Sequence, residues 1–150
     1  PHAKTLSLMA LVYMSLLAGL TSALHFVILT LSHQPAFAAL EGGSLVFAFE
    51  WPSVAYALDI LAWDVFFALS MFFAAPVFSG SRLAISIRGL MIASGGLAVA
   101  GLAGVVTGDM SVRNVGIVGY LGGFMIVVAL LALLFYRTPP VDAERRRGTR

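Results

Sequence analysis

The sequence predicts an all-α membrane protein, a bundle of four transmembrane helices with an apolar outer loop, interfacial or re-entrant, between the first two. Three observations carry this expectation. Hydrophobic residues make up 60% of the chain and charged residues 11%, against about 45–50% and about 25% in soluble domains. The apolar residues fall into four runs, at 6–31, 54–78, 84–106 and 115–136. Each reaches the roughly 20 residues that a helix needs to cross a hydrocarbon core, and backbone inside lipid must satisfy its own hydrogen bonds, so the runs read as helices. The basic residues supply the third observation. With the N-terminus inside, Lys4, Arg82, Arg88, Arg137, Arg145, Arg146, Arg147 and Arg150 share the inner side and Arg113 alone is outside, a bias of the kind that orients short loops. Residues 1–137 are expected to form the bundle and 138–150 a flexible basic cytoplasmic tail, in a bacterial-type inner membrane with both termini cytoplasmic.

The first run follows Lys4 and precedes Ala36-Phe37-Ala38, a small-residue pattern like that of a signal-peptide cleavage site. A signal's apolar stretch is only about 7–15 residues long, so this run is expected to stay as a helix. With no Met at its start, the chain is expected to be processed or a piece of a longer one. Ser32-His33-Gln34-Pro35 ends the first helix, since Pro cannot continue a helix interior. The stretch 36–50 is apolar but too short to cross as a helix, and Glu41-Gly42-Gly43 interrupts it. Trp51-Pro52 is expected to open the second helix, with the indole at headgroup depth and Pro in the first turn. A tight inner turn at Ser79-Gly80-Ser81-Arg82 leads to the third helix, and Ser111 to Asn114 are expected to be the outer turn before the fourth.

Two stripes of small residues bear on how the last two helices meet. Gly96, Ala100, Gly104 and Gly108 form one, Gly119 and Gly123 the other. Such stripes let backbones approach closely where lipid supplies no hydrophobic drive for association, so these helices are expected to form a tight hairpin.

Ionisable residues within the spans are the candidates for chemistry, because each costs at least about 2.5–3.5 kcal/mol at a helix centre. His25, Asp59 and Asp64 qualify. At 1.5 Å per residue His25 and Asp59 both lie about 9 Å below the outer boundary. Thr21 and Ser22 share the face of His25, and Tyr56 and Trp63 share the face of Asp59. Asp64 is about 16 Å deep and about 140° around the helix from Asp59. No Lys or Arg is assigned to its level, so it is expected to carry a proton or to face a cavity or another subunit. His25, Asp59, Asp64, Tyr56 and Trp63 are thus expected to form a ligand or proton pathway open to the outer face. The alternative is that they are interhelical hydrogen-bond glue.

Several chemistries are excluded. Cysteine is absent, which removes disulfides, thiol catalysis and thiolate metal sites. Of His2, His25 and His33 only one lies in a span, too few for a bis-His haem or a two-metal site. Ser22 and His25 share one helix without an elbow motif around the serine, and the Gly116, Gly119 and Gly122 spacing lacks the lysine ending of a phosphate loop. The positive charge belongs to the tail rather than to a nucleic-acid-binding face. No catalytic residue, metal or cofactor is expected. The leading reading is a non-enzymatic accessory or small oligomeric ligand-binding subunit, whose partners are the bilayer and a second copy or larger membrane complex. Two alternatives stay open: a small-molecule or proton transporter using Asp59 and Asp64, and an intramembrane enzyme using His25 and Asp59 as acid and base.

Overall fold

A computed structural model describes residues 2–31 and 34–138; His33 and the expected tail beyond Thr138 lie outside the described residues. Among those described, all regular structure is helical: α1 (His2–Leu31), α2 (Pro35–Ala38), α3 (Gly43–Phe47), α4 (Val54–Val77), α5 (Arg82–Thr107) and α6 (Met110–Arg137). Helices α1, α4, α5 and α6 are each long and apolar enough to cross a membrane, which marks the chain as a membrane protein. The short helices α2 and α3 sit in the connection from α1 to α4, at the same end of the bundle as the turn from α5 to α6.

Capping residues move two helix starts from their expected positions. Pro52 lies before α4 rather than in its first turn. The cap is Ser53, whose hydroxyl oxygen accepts from the Tyr56 N–H at 3.0 Å and whose O–H donates to the Ala48 carbonyl. Helix α6 begins at Met110, so the expected turn at Ser111 to Asn114 is helical. Here Gly108 ends α5 with φ of 74°, the left-handed conformation that glycine adopts without strain. Asp109 then caps α6, its Oδ1 accepting from the Ser111 hydroxyl at 2.6 Å and from the Ser111 N–H at 2.9 Å. Those two bonds, the hydroxyl's first, hold the Asp109 carboxyl below the usual carboxylate range. The early start brings Arg113 into the first turn of α6.

Helix α4 is central, packed against α1 on one side and α5 on the other. Its Ala62, Phe67, Ala68, Met71 and Ala75 are buried with Leu17 of α1, Ile87 and Met91 of α5, and Tyr120 and Val127 of α6. A polar contact joins α4 to α1, where the Ser70 hydroxyl donates to the Ala10 carbonyl at 2.9 Å. Helices α4 and α6 each contain a π-helical turn, at Leu61–Phe66 and Val118–Gly123. Within them the N–H of Phe67 reaches the Ala62 carbonyl and that of Phe124 the Gly119 carbonyl, five residues back rather than four. Such turns recur at functional sites, and these two face one another through Trp63 and Tyr120, whose ring centroids are 5.1 Å apart.

The α5–α6 seam corrects part of the expected stripe. Ser94, Ala98, Gly101 and Gly104 are buried on α5, facing Gly123, Gly119, Gly116 and Arg113 of α6. A Cβ at Gly104 would stand 2.9 Å from the Arg113 backbone nitrogen, and one at Gly119 would stand 2.6 Å from the Ser94 carbonyl oxygen. Gly104, Gly119 and Gly123 therefore belong to the interface. Gly96 and Ala100 are exposed, and Gly108 serves the turn. The physical reason is that a strict four-residue step drifts about 40° per repeat on a helix of 100° per residue, whereas the observed seam mixes steps of three and four. Ser94 Oγ is buried at this seam with no hydrogen-bond partner. Ser94→Ala should therefore unfold in detergent at the same temperature as the wild type or higher. A loss above about 1 kcal/mol would mean that the hydroxyl is bonded after all.

Candidate functional site

Arg113 organises the polar interior. From the first turn of α6 its side chain turns inward and uses all three guanidinium nitrogens on α4. Nε donates to Asp64 Oδ2 at 3.0 Å, one terminal nitrogen to Asp59 Oδ2 at 3.3 Å, and the other to the Tyr56 hydroxyl at 3.0 Å. The guanidinium carbon also lies 4.9 Å from the centre of the Tyr56 ring, within cation–aromatic range. The cluster is deeply enclosed, with Asp59 6%, Asp64 0% and Arg113 4% exposed. A cation in the first turn of a helix opposes the helix dipole, and the two carboxylates offset that cost.

The π turn in α4 accounts for how both carboxylates reach one cation. In a regular α-helix residues five apart point about 140° away from each other. A turn closed by hydrogen bonds to the fifth residue instead widens the helix, and Asp59 and Asp64 both come to face Arg113. Space for the guanidinium and Asp64 depends on glycine, since a Cβ at Gly116 would lie 2.8 Å from Asp64 Oδ1. That Oδ1 is buried without a hydrogen-bond partner.

Beside this cluster a groove of about 480 Å³ opens between α1, α4 and α6, lined by Thr21, Ser22, His25, Phe49, Asp59, Trp63, Tyr120 and Leu121. Phe49, from the connection after α3, closes one side, with its ring 5.6 Å from His25 and 5.4 Å from Tyr56. Of the residues expected to form the pathway, His25, Asp59 and Trp63 line the groove. Tyr56 and Asp64 instead lie behind it as partners of Arg113. His25 and Asp59 are not hydrogen-bonded to one another. His25 Nδ1 donates to the Thr21 carbonyl of its own helix at 2.8 Å, which leaves Nε2 as the free ring nitrogen.

The expectation that Asp64 has no basic partner is overturned by Arg113. Sequence reasoning assigned that arginine to an outer turn because hydropathy falls at Arg113-Asn114, whereas the Gly108-Asp109 stop-and-cap pair sets the true helix start. Tyr120 and Phe49 were also missed, each being one aromatic among many apolar neighbours. Among the described residues no three His, Asp or Glu side chains converge in a way that could hold a metal ion. What the arrangement offers is a fixed carboxylate on an aromatic wall, reachable through an open groove. No protein-family model, no curated protein and no solved structure matches this chain.

Proposed function

We propose that this chain is a non-enzymatic ligand-binding subunit of a bacterial-type inner membrane, acting as an accessory protein or a small oligomer, with both termini cytoplasmic and its groove open to the outer side. The observation that carries the reading is the groove itself. It joins hydroxyl, imidazole and carboxylate groups to three aromatic walls, a mostly apolar lining with a few convergent polar groups of the sort that small-molecule sites use. Orientation rests on the basic residues, and the bias is cleaner with Arg113 counted as an interior residue. Lys4, Arg82, Arg88 and Arg137 all belong to the end opposite the groove mouth, as the positive-inside rule requires of the cytoplasmic side. Transport through both carboxylates draws less support, because Asp59 lines the groove and Asp64 does not.

Single cysteines in this cysteine-free chain test the reading. Glu41→Cys in the connection should react with an impermeant thiol reagent applied outside, Ser22→Cys should react more slowly through the groove, and Ser79→Cys should react only once the membrane is opened. Ala129→Cys, exposed on α6 away from the groove, should stay inert. A Ser22→Cys as inert as Ala129→Cys would remove the water-accessible groove, and labelling of Ser79→Cys from outside would invert the topology.

A further inference from the structure

We infer that the groove binds an organic cation, a protonated amine or quaternary ammonium group held against Asp59 between Phe49, Trp63 and Tyr120. The inference rests on the reading of the groove as a ligand site and names the chemistry of its occupant. Its first support is a charge count. One guanidinium faces two carboxylates, which leaves the cluster one positive charge short of neutrality. The shortfall points toward the groove. Asp64, fully enclosed, has the closer contact with Arg113 at 3.0 Å, whereas Asp59 has the longer one at 3.3 Å and is the carboxylate that lines the cavity.

The walls supply the second support. Aromatic faces attract cations through the ring quadrupole, and three aromatic side chains line the groove together with Asp59. Thr21 and Ser22 add polar side chains to the lining beside the carboxylate. Other occupants fit less well. An anion would meet Asp59 with Arg113 screened behind it, and an apolar molecule would leave the carboxylate unanswered. A hard divalent cation takes six or more oxygen ligands, which a groove with one carboxylate and aromatic walls does not offer. A proton on one carboxylate, or on His25 in the same groove, would also balance the cluster, and the test distinguishes both from an organic cation.

The amine could be a free small molecule or a lipid headgroup, and lipid composition separates the two. The Ser22→Cys protein is placed in nanodiscs of phosphatidylglycerol, whose headgroup holds no amine, and its thiol labelling is followed with benzyltrimethylammonium or with its neutral isostere neopentylbenzene. The expected result is half-protection by the ammonium at a concentration at least about tenfold below that of the isostere, a ratio that one desolvated cation–aromatic contact supplies, with Glu41→Cys labelling unchanged. In phosphatidylethanolamine nanodiscs, labelling already slow without added ammonium would assign the cation to the lipid headgroup. Equal protection by ammonium and isostere would overturn the cation and favour the proton, while the groove would stand. Failure of Ser22→Cys to label in any condition would instead remove the groove. Asp59→Asn should keep the labelling and lose the protection. If that variant does not fold, the comparison of ammonium with isostere decides alone.

Discussion

Arg113→Met should lower the stability of the bundle by about 3 kcal/mol or more, the range found when one partner of a buried ion pair is removed. Methionine keeps much of the length and apolar stem, so packing loss is small and the change isolates the charge. It leaves Asp59 and Asp64, 6% and 0% exposed, without their cation. Arg113→Lys should recover only part of the loss. Three acceptors are met here by three different nitrogens, a fork that a single ammonium cannot reproduce. The control is Arg88→Met at an exposed position on α5, which should stay within about 0.5 kcal/mol. Unfolding in one mild detergent, followed by circular dichroism, measures all three variants. An Arg113→Met protein as stable as the Arg88→Met control would show that the cluster contributes nothing to the fold.

The second large effect lies at the α5–α6 seam. Gly119→Ala should cost about 1–3 kcal/mol, as overpacking of a tight interior does, because the added methyl would stand 2.6 Å from the Ser94 carbonyl oxygen and 3.0 Å from Leu97 Cβ. Backbone cannot swing aside as a side-chain tip can, so α5 and α6 must separate. Gly96→Ala meets nothing within 4 Å and should be neutral or slightly stabilising, since alanine is the better helix former. The ratio of folded to aggregated protein after heating separates the two. Equal behaviour would return Gly96 to the interface.

The four long helices were legible because each apolar run reaches the roughly 20 residues a bilayer crossing needs, and hydropathy needs no knowledge of partners. The candidate site was legible only in part. Asp59, Trp63 and His25 were found because polar groups stand out in an apolar span, but their partner was not. Arg113 was the single basic residue on the outer side, so a rule that counts charges treated it as an exception to be outvoted. One local signal pointed the other way: the Gly108-Asp109 pair, which ends one helix and caps the next. The π turn in α4 was beyond reach, because angular arguments at 100° per residue assume the regular helix that this turn breaks. Part of the small-residue stripe, Gly96 and Ala100, missed the seam for a related reason, since a constant step of four does not follow a 3.6-residue helix.

A pair of double-mutant cycles tests most directly whether Asp64 is paired with Arg113 across α4 and α6. Thermal unfolding is measured for Arg113→Met, Asp64→Asn and the combined variant, and in parallel for His25→Ala, Asp59→Asn and their combination. The geometry predicts coupling of at least about 1 kcal/mol in the first cycle, and in the second additivity within about 0.5 kcal/mol, because His25 bonds its own helix and Asp59 bonds Arg113. Additive losses for Arg113 and Asp64, together with coupling between His25 and Asp59, would contradict the account.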